Sequence, residues 1–210
     1  MATNSNRQNG WRVGFDLDGV VYDFRRAISD YLVNAGRTEC SLDRAHPHWD
    51  FFKGWGLTLE EYLDLYKAGV DAGQVLRHGD PLPGSVEATE TLARAGHSIH
   101  IVTDRSVGSQ PGISSRHTAA WLADHNFVFH SLTFSSDKTA VDTDFFIDDR
   151  FENYVARVAK GLNCHLLTRP WNQDLGDKDT QRVDSVEEFV DIVLRGSTAS
   201  TRSLAMTHSR

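Results

Sequence analysis

The sequence of 210 residues has few cysteines, no long apolar run and no excess of positive charge. Its two cysteines, Cys40 and Cys164, lack the spacing of a metal site and favour a reducing, cytoplasmic location, although a single disulfide between them stays open. No apolar stretch approaches the roughly 20 residues that cross a bilayer. The net charge of −7 argues against a surface for nucleic acids or anionic membranes. We therefore expect neither a nucleic acid polymer nor a membrane among the partners.

Between residues 11 and 195, short apolar runs alternate with segments whose apolar residues recur at helical spacing. The runs predict strands at residues 13–15, 98–103, 131–134, 144–147 and 164–168. The other segments predict helices at residues 24–35, 85–95, 114–125, 152–160 and 185–195. Strands that alternate with amphipathic helices form parallel sheets covered on both faces. The sequence therefore predicts an α/β fold with a Rossmann-like parallel sheet sandwiched by helices.

One segment, residues 37–80, breaks this alternation, because it is rich in aromatic residues and contains no convincing strand. Thr58, followed three residues later by Glu61, is a capping box that predicts the start of a helix. We interpret the segment as a small helical cap inserted after the first strand. The predicted domains are a core of residues 11–36 and 81–195, the cap of residues 37–80, and disordered polar tails at residues 1–10 and 197–210.

Polar side chains follow the ends of four predicted strands. Asp16 and Asp18 follow the first strand, directly before Gly19, which lets the backbone turn sharply. The other candidates after strand ends are Thr103, Lys138, Asp148 and Asp149. The carboxyl ends of parallel strands meet at one edge of a sheet, where open α/β sheets bind ligands. We therefore expect these side chains to share one crevice, although they are far apart in sequence.

Each residue type in this predicted crevice suits phosphate chemistry. Mg²⁺ is a hard cation, which carboxylates such as those of Asp16 and Asp149 hold together with substrate phosphate. A phosphate group needs hydrogen-bond donors and a positive charge, which Thr103 and Lys138 offer. An aspartate that faces a phosphoryl group can act as a nucleophile and form an aspartyl-phosphate. The pattern therefore predicts a metal-dependent site for phosphoryl chemistry.

Each of these residues also has an ordinary structural interpretation. Asp-x-Asp-Gly occurs in turns, a threonine or an Asp-Asp pair caps helices, and a lysine in a loop is commonly solvated. The joint arrangement, in chain order at successive strand ends, favours the functional interpretation. The order also argues against a response-regulator receiver, in which the acidic pair comes first and the acceptor aspartate ends a later strand. Here the Asp-x-Asp motif comes first and the acidic pair last.

Four segments carry a resemblance to a known family. They are Asp16-Leu17-Asp18-Gly19-Val20 through Asp23-Phe24, Pro81-Leu82-Pro83-Gly84, Asp137-Lys138-Thr139-Ala140-Val141 and Phe146-Ile147-Asp148-Asp149-Arg150. With these segments the chain resembles the haloacid dehalogenase-like (HAD) phosphohydrolases over residues 12–195. Within that superfamily it is most similar to the 5′(3′)-deoxyribonucleotidases. One departure is Asp104-Arg105 after the motif threonine, where the family usually has Ser-Pro.

The resemblance implies a role for each acidic residue at the strand ends. Asp16 would be the nucleophile and a Mg²⁺ ligand. Asp18 would be the general acid and then the general base, and its backbone carbonyl would contact the metal. Asp149 would be the third protein ligand, with Asp148 as a supporting partner.

The resemblance also implies residues that bind the substrate. Thr103 and Lys138 would hold the phosphoryl oxygens, and Phe24 would lie under the nucleotide. Further candidates for substrate contact are Phe51 and Trp55 in the cap, with Asp104 and Arg105 beside the phosphate. The cap aromatics have an alternative role as the core of the cap itself. The segment 169–172 follows another strand end and either reaches the site or forms a rigid exit loop.

These features predict a Mg²⁺-dependent phosphomonoesterase that hydrolyses deoxyribonucleoside or ribonucleoside monophosphates through an aspartyl-phosphate. The expected partner is this small phosphomonoester, and the sequence leaves open whether the chain forms a homodimer. One alternative is a HAD phosphatase for another small phosphorylated metabolite, because the cap, not the core, selects the substrate. A second alternative is a phosphate-sensing module without catalysis, against which the complete set of chemical residues argues.

Overall fold

The computed structural model describes residues 10–45 and 47–207, with side chains described as far as residue 197. Most of the predicted N-terminal tail, residues 1–10, lies outside these ranges. Within them, no helix is both long and apolar enough to span a membrane. Cys40 and Cys164 are both buried and free, so no disulfide joins them.

A sheet of parallel strands forms the centre of the molecule, and its six described strands are ordered β3-β2-β1-β4-β5-β6. They are β1 (Arg12–Phe15), β2 (Ser98–Thr103), β3 (Ser131–Phe134), β4 (Phe145–Asp148), β5 (His165–Leu167) and β6 (Arg182–Val183). Phe15 of β1 lies opposite Ile101 of β2 and Ile147 of β4, and all three side chains are fully buried. The predicted parallel sheet is confirmed, and β1 lies in its interior.

Helices cover both faces of this sheet. The described α-helices are α1 (Phe24–Asn34), α2 (Leu59–Asp71), α3 (Ser85–Arg94), α4 (Ile113–Asp124), α5 (Phe151–Ala159) and α6 (Val186–Thr207). On one face, Trp121 of α4 and Phe189 of α6 join an apolar cluster with Ile101 of β2. On the other face, Tyr154 of α5 joins Val102, the next residue of β2. Adjacent strand residues point to opposite faces, so the predicted sandwich is confirmed.

The cap consists of α2 and three short 3₁₀ turns, which pack on α1. At the start of α2, the Glu61 backbone N–H donates to Thr58 Oγ1 at 3.3 Å. The Thr58 backbone N–H donates to Glu61 Oε2 at 2.8 Å, which completes the predicted capping box. Ile28 and Leu32 of α1 belong to the apolar cluster of the cap. This packing of α1 against the cap was not part of the prediction, because periodicity shows that a helix has an apolar face but not which partner covers it.

The C-terminal part of the fold also differs from the prediction. Helix α6 continues through residues 197–207, where the Ser and Thr content predicts a disordered tail. This segment contains no proline, and its Ala, Leu, Arg and Met residues favour helix. Strand β6 was absent from the prediction, because two residues are too few to show a period. Residues 208–210 of the predicted tail lie outside the described residues.

Candidate active site

The order of the strands creates a crevice at the carboxyl end of β1. Its neighbours β2 and β4 lie on opposite sides, and ligands of open α/β sheets bind where the connections diverge in this way. Asp16 directly follows β1, Asp148 ends β4, and Asp149 comes next. The Asp16 backbone N–H donates to the Ile147 oxygen at 3.0 Å, which ties the two strand ends together. The structure therefore brings these three predicted carboxylates into one place.

Asp16 is held by a buried lysine. Lys138 Nζ donates to Asp16 Oδ1 at 2.7 Å and to the backbone oxygen of Val102 at 2.8 Å. The Leu17 backbone N–H donates to the same Oδ1 at 2.7 Å. Burial raises the pKa of Asp16, and the ammonium of Lys138 offsets only part of this effect. Burial lowers the pKa of Lys138, but the charges of the neighbouring carboxylates outweigh it and raise that pKa above its usual value.

The carboxylates of Asp16, Asp148 and Asp149 are buried and offer oxygens within 4.8 Å of one another. Asp148 Oδ1 accepts hydrogen bonds from the Arg150 backbone N–H at 2.8 Å and from Asn153 Nδ2 at 3.1 Å. Burial, with repulsion by Asp16, raises the pKa of Asp148 to about 8. Burial and the charges of the other two carboxylates also raise the pKa of Asp149. A cluster of this kind is stable as anions only where a cation balances its charge.

One oxygen of Asp149 is available to such a cation. Asp149 Oδ2 accepts a hydrogen bond from Trp171 Nε1 at 3.0 Å. The buried Oδ1 has no hydrogen-bond partner among the described residues. A buried carboxylate oxygen without a partner costs free energy unless a donor or a cation reaches it. Because carboxylate oxygens are the ligands that Mg²⁺ prefers, the residues present fit a magnesium ion.

The loop after β5 supports the acidic cluster directly. Besides the bond from Trp171, Asn172 Nδ2 donates to the backbone oxygens of Asp149 at 2.7 Å and Leu167 at 2.8 Å. Arg169 Nε donates to the Gly19 oxygen at 2.8 Å. Of the two interpretations of segment 169–172, the structure therefore favours the one in which it reaches the site.

Gly19 occupies a position that tolerates no side chain. Its φ of +77° lies in the left-handed region, which side chains disfavour. A Cβ atom there would overlap Asp149 Oδ2 and approach Trp171 Cζ2 to 3.2 Å. The glycine of the Asp-x-Asp-Gly motif therefore allows the turn after β1 to pass directly over a carboxylate of the cluster.

Asp18 lies apart from the acidic cluster and pairs with Arg105. Arg105 Nε donates to Asp18 Oδ2 at 3.0 Å, and Nη2 donates to Oδ1 at 2.5 Å. The Arg105 side chain is fully buried, whereas that of Asp18 is 29% exposed and lines the cavity. Arg105, a predicted substrate-contact residue, is thus not on the cavity wall. The sequence shows its charge but not the direction of its side chain.

Thr103 and Lys138, the two predicted phosphate ligands, differ in their exposure to the site. Lys138 lines the cavity. Thr103, at the end of β2, is fully buried, and its Oγ1 has no hydrogen-bond partner among the described residues. The structure therefore places the lysine on the cavity wall and the threonine hydroxyl behind it.

A cavity of about 570 Å³ extends from the acidic cluster to the cap. Three predicted contact residues, Phe24, Phe51 and Asp104, line it. Trp55, also predicted to contact the substrate, does not; its side chain is buried in the cap, and its Nε1 donates to the Ser41 oxygen at 2.9 Å. The position of Trp55 therefore fits its alternative role in the core of the cap, where it packs in the apolar cluster of the cap.

Several residues that line the cavity were missing from the prediction. One face of α2 contributes Leu59, Tyr62, Leu63 and Tyr66. Their spacing of three and four residues after a capping box is a signal from which this face could have been inferred. Arg25 is a further lining residue, and its guanidinium lies between the rings of Phe51 and Trp171, at 4.8 and 5.0 Å from their centroids. No sequence pattern distinguishes this arginine from a solvated one.

Comparisons with known proteins agree with this geometry. A family model described as 5′ nucleotidase, deoxy (pyrimidine), cytosolic type C protein matches residues 11–199. A protein of Chlorobaculum tepidum, provisionally named a 5′(3′)-deoxyribonucleotidase, is 27% identical over 163 residues, which are 74% of this chain and 77% of that protein. A provisionally named nucleotidase of Bacillus cereus is 24% identical over 193 residues, covering 87% of this chain and 97% of its own.

Solved structures share the fold. A protein of Clostridium acetobutylicum described as a predicted phosphatase has a TM-score of 0.59 at 18% identity, over 89% of this chain and 99% of its own. A haloacid dehalogenase-like hydrolase of Bacteroides fragilis, also provisionally named, has a TM-score of 0.56 at 14% identity, over 86% and 99%. The fold, the residues at the strand ends and the matching family model are all consistent with a nucleotidase. The chain therefore belongs to the deoxy (pyrimidine), cytosolic type C 5′-nucleotidase family of HAD-like hydrolases, and it is an enzyme of the phosphatase and nucleotidase class.

Proposed function

We propose that the enzyme is a Mg²⁺-dependent phosphomonoesterase that releases phosphate from deoxyribonucleoside monophosphates through an aspartyl-phosphate on Asp16. The observation that carries this proposal is the position of Asp16. It is buried at the end of β1, bound by Lys138, and surrounded by the other carboxylates at one end of an aromatic cavity. Asp18, which also lines the cavity and has a charged partner in Arg105, is partly exposed and lies outside the cluster of three carboxylates.

Asp16 is the proposed nucleophile. The bonds from Lys138 and Leu17 both go to Oδ1, so Oδ2, which accepts neither of them, is the proposed attacking atom. The bond from Oδ2 to phosphorus forms as the bond from phosphorus to the ester oxygen breaks. The fixed side chain reduces the entropy cost of reaching this geometry. In the second step, water displaces Asp16 from phosphorus and yields inorganic phosphate.

Asp16, Asp149 and the backbone carbonyl of Asp18 would hold the metal ion. When bound, Mg²⁺ neutralises the crowded carboxylates and the phosphoryl oxygens, which lowers the electrostatic barrier to attack by one anion on another. Asp148 accepts hydrogen bonds from Arg150 and Asn153, which fix its carboxylate beside those of Asp16 and Asp149. Lys138 supplies positive charge to the phosphoryl group from the cavity wall.

Asp18 is the proposed general acid and base. It protonates the leaving ester oxygen in the first step, and its carboxylate then takes a proton from the attacking water. It is two residues beyond Asp16, and its partly exposed side chain faces the cavity. Its position on the wall of the cavity in which the substrate would bind supports this role.

The aromatic part of the cavity is the proposed site of the nucleobase. Phe24 and Phe51 lie edge to face at 6.5 Å, and Tyr62 and Tyr66 complete the apolar wall. Flat apolar surfaces of this kind bind rings by stacking and exclusion of water. Lining residues with hydrogen-bonding groups, such as His48 and Asp50, would select among bases. The names of the relatives support a deoxyribose, while the choice between 5′- and 3′-phosphates belongs to the test below.

A cytoplasmic location and action as a monomer or homodimer complete the proposal. The buried free thiols of Cys40 and Cys164 and the cytosolic family description support the location. A phosphatase for another small phosphorylated metabolite is the alternative, because the cap, not the core, selects the substrate.

The test is phosphate release from 5′- and 3′-deoxynucleotides, ribonucleotides, sugar phosphates and 4-nitrophenyl phosphate, with Mg²⁺ and with chelator. Preference for deoxynucleoside monophosphates that is lost on chelation is the expected result. Preference for a sugar phosphate would replace the nucleotide assignment and retain the mechanism. Absence of turnover on every ester with Mg²⁺ would overturn the proposed function.

A further inference from the structure

Arg105 lies in the loop after β2, and its side chain has a defined set of partners. It follows β2 by two residues, at the same edge of the sheet as Asp16. Its guanidinium contacts Asp18 through two nitrogens, with bonds of 3.0 Å from Nε and 2.5 Å from Nη2. Such a two-pronged pair fixes the orientation of a carboxylate, which a single bond or a lysine does not.

The guanidinium is itself fixed from two further directions. Its Nη1 donates to Thr118 Oγ1 of α4 at 3.2 Å. Its central carbon lies 4.3 Å from the ring centroid of Tyr22, so that the ring packs against the face of the cation. Because these contacts fix the guanidinium of Arg105, it holds the Asp18 carboxylate in one orientation.

Arg105 does not act on the substrate directly. Its side chain is fully buried and absent from the cavity wall, while Asp18 is on that wall. A buried ion pair is also no general route to stability, because desolvation of the two charges offsets much of their attraction. The ion pair of Arg105 and Asp18 is therefore better explained by the orientation that it gives the Asp18 carboxylate than by a contribution to the stability of the fold.

We propose that Arg105 is a positioning residue that holds the Asp18 carboxyl group in the orientation from which it transfers a proton to the leaving oxygen. The inference rests on the proposed function of Asp18. In this step the proton passes from Asp18 Oδ2, which accepts only one bond from Arg105, to the ester oxygen as the bond from that oxygen to phosphorus breaks. Asp18 is left as a carboxylate paired with Arg105. An ester whose leaving group departs as a stable anion does not need this proton, so its reaction does not depend on Arg105.

The test compares leaving groups in single-turnover reactions, which report the first step alone. In Arg105→Met, release of nucleoside from a deoxynucleoside 5′-phosphate is expected to fall by about 100-fold, since general acids contribute factors of this order. Release of 4-nitrophenol from its phosphate is expected to fall by less than about 5-fold, because nitrophenolate leaves without a proton. The KM values are expected to stay within about 3-fold of wild type, because Arg105 does not line the cavity.

Two further variants separate positioning from support of the fold. Arg105→Lys keeps the charge but lacks the two-pronged geometry, so it is expected to recover only part of the nucleotide rate. Arg157→Met is the matched control: Arg157 is also fully buried, stacks at 4.1 Å from the ring centroid of Phe146, and donates to Thr143 Oγ1 at 2.7 Å. Its loss is expected to slow both esters by the same factor.

Equal losses on the two esters in Arg105→Met would overturn the positioning role and leave the proposed function standing. If Arg105→Met does not fold, Thr118→Val removes only the acceptor of Nη1, and a nucleotide-selective loss of about 3- to 10-fold is expected. An equal effect of Thr118→Val on both esters would again overturn the inference. A wild-type enzyme that is inactive on both esters would overturn the proposed function and this inference together.

Discussion

At the scale of single residues, the proposed mechanism requires Asp16 as a reacting group and not merely as a charge. Asp16→Asn keeps the size of the side chain and removes the attacking oxygen. We expect phosphate release to fall at least about 1,000-fold while the circular dichroism spectrum is unchanged. Asp30→Asn, at an exposed position of α1, is the control and should retain full activity. Near wild-type activity in purified Asp16→Asn would exclude it as the nucleophile.

Gly19 allows a second test at this scale, with a control that has the same backbone conformation. Gly19→Ala places a Cβ against Asp149 Oδ2, so we expect a higher Mg²⁺ requirement and at least about 10-fold lower activity. Gly36 has a φ of +89°, but a Cβ there meets no atom within 4 Å. Gly36→Ala should cost about 1 kcal/mol of unfolding free energy and leave the Mg²⁺ titration unchanged. Identical Mg²⁺ titrations for the two variants would show that Gly19 serves only the turn.

Sequence reasoning was most successful at this scale where backbone topology decides the outcome. Asp16, Asp148 and Asp149 could be placed together because parallel strands end at a common edge. Arg105 and Trp55 could not be oriented, because Arg105 lies in a loop and Trp55 ends a short 3₁₀ turn, and the direction of each side chain depends on partners distant in sequence. Arg105 points to Asp18, and Trp55 to Ser41.

At the scale of elements, the cap divides its aromatic residues between the cavity and its own core. Phe51 lines the cavity, so Phe51→Leu should raise the KM for a deoxynucleoside monophosphate by about 10-fold more than that for 4-nitrophenyl phosphate. Trp55 binds the Ser41 oxygen inside the cap, so Trp55→Phe should lower the melting temperature and affect both substrates equally. A nucleotide-selective effect of Trp55→Phe would contradict this division.

The spacing of apolar residues predicted which helices and strands exist better than it predicted which of them pack against one another. The strand predicted at residues 98–103 matches β2, and the capping box of Thr58 and Glu61 matches the start of α2. Helix α1 was predicted, but its packing against the cap was not, because an apolar helix face does not reveal which element covers it. Helix α6 extends to Thr207, beyond the predicted end at residue 195, and the Ala, Leu, Arg and Met residues of this segment favour helix.

At the scale of the whole molecule, we expect the acidic cluster to make stability depend on pH and on Mg²⁺ together. The pKa of Asp148 is raised to about 8, and those of Asp16 and Asp149 are raised as well. In the metal-free protein these groups bind more protons when folded than when unfolded, so their contribution to the free energy of unfolding is fully present below about pH 4 and is lost as pH rises towards 8. Mg²⁺ replaces the protons and should stabilise the protein more at pH 8 than at pH 5.5.

Melting temperatures measured across this pH range with chelator and with Mg²⁺ provide the check. The melting temperature of chelated Asp148→Asn is subtracted from that of the chelated wild-type protein at each pH. The difference, which reports the contribution of Asp148, should fall as pH rises. A Mg²⁺ effect that is the same at both pH values would mean that the cluster does not exchange protons for metal.

The position of β1 between β2 and β4 has a consequence for how the enzyme is made. Asp16 precedes in the chain both the strand Phe145–Asp148, which supplies Asp148, and Trp171, which binds Asp149. During synthesis the proposed nucleophile therefore emerges before the residues that surround it in the folded protein. Because the proposed reaction needs the whole acidic cluster, it requires that synthesis has passed Trp171.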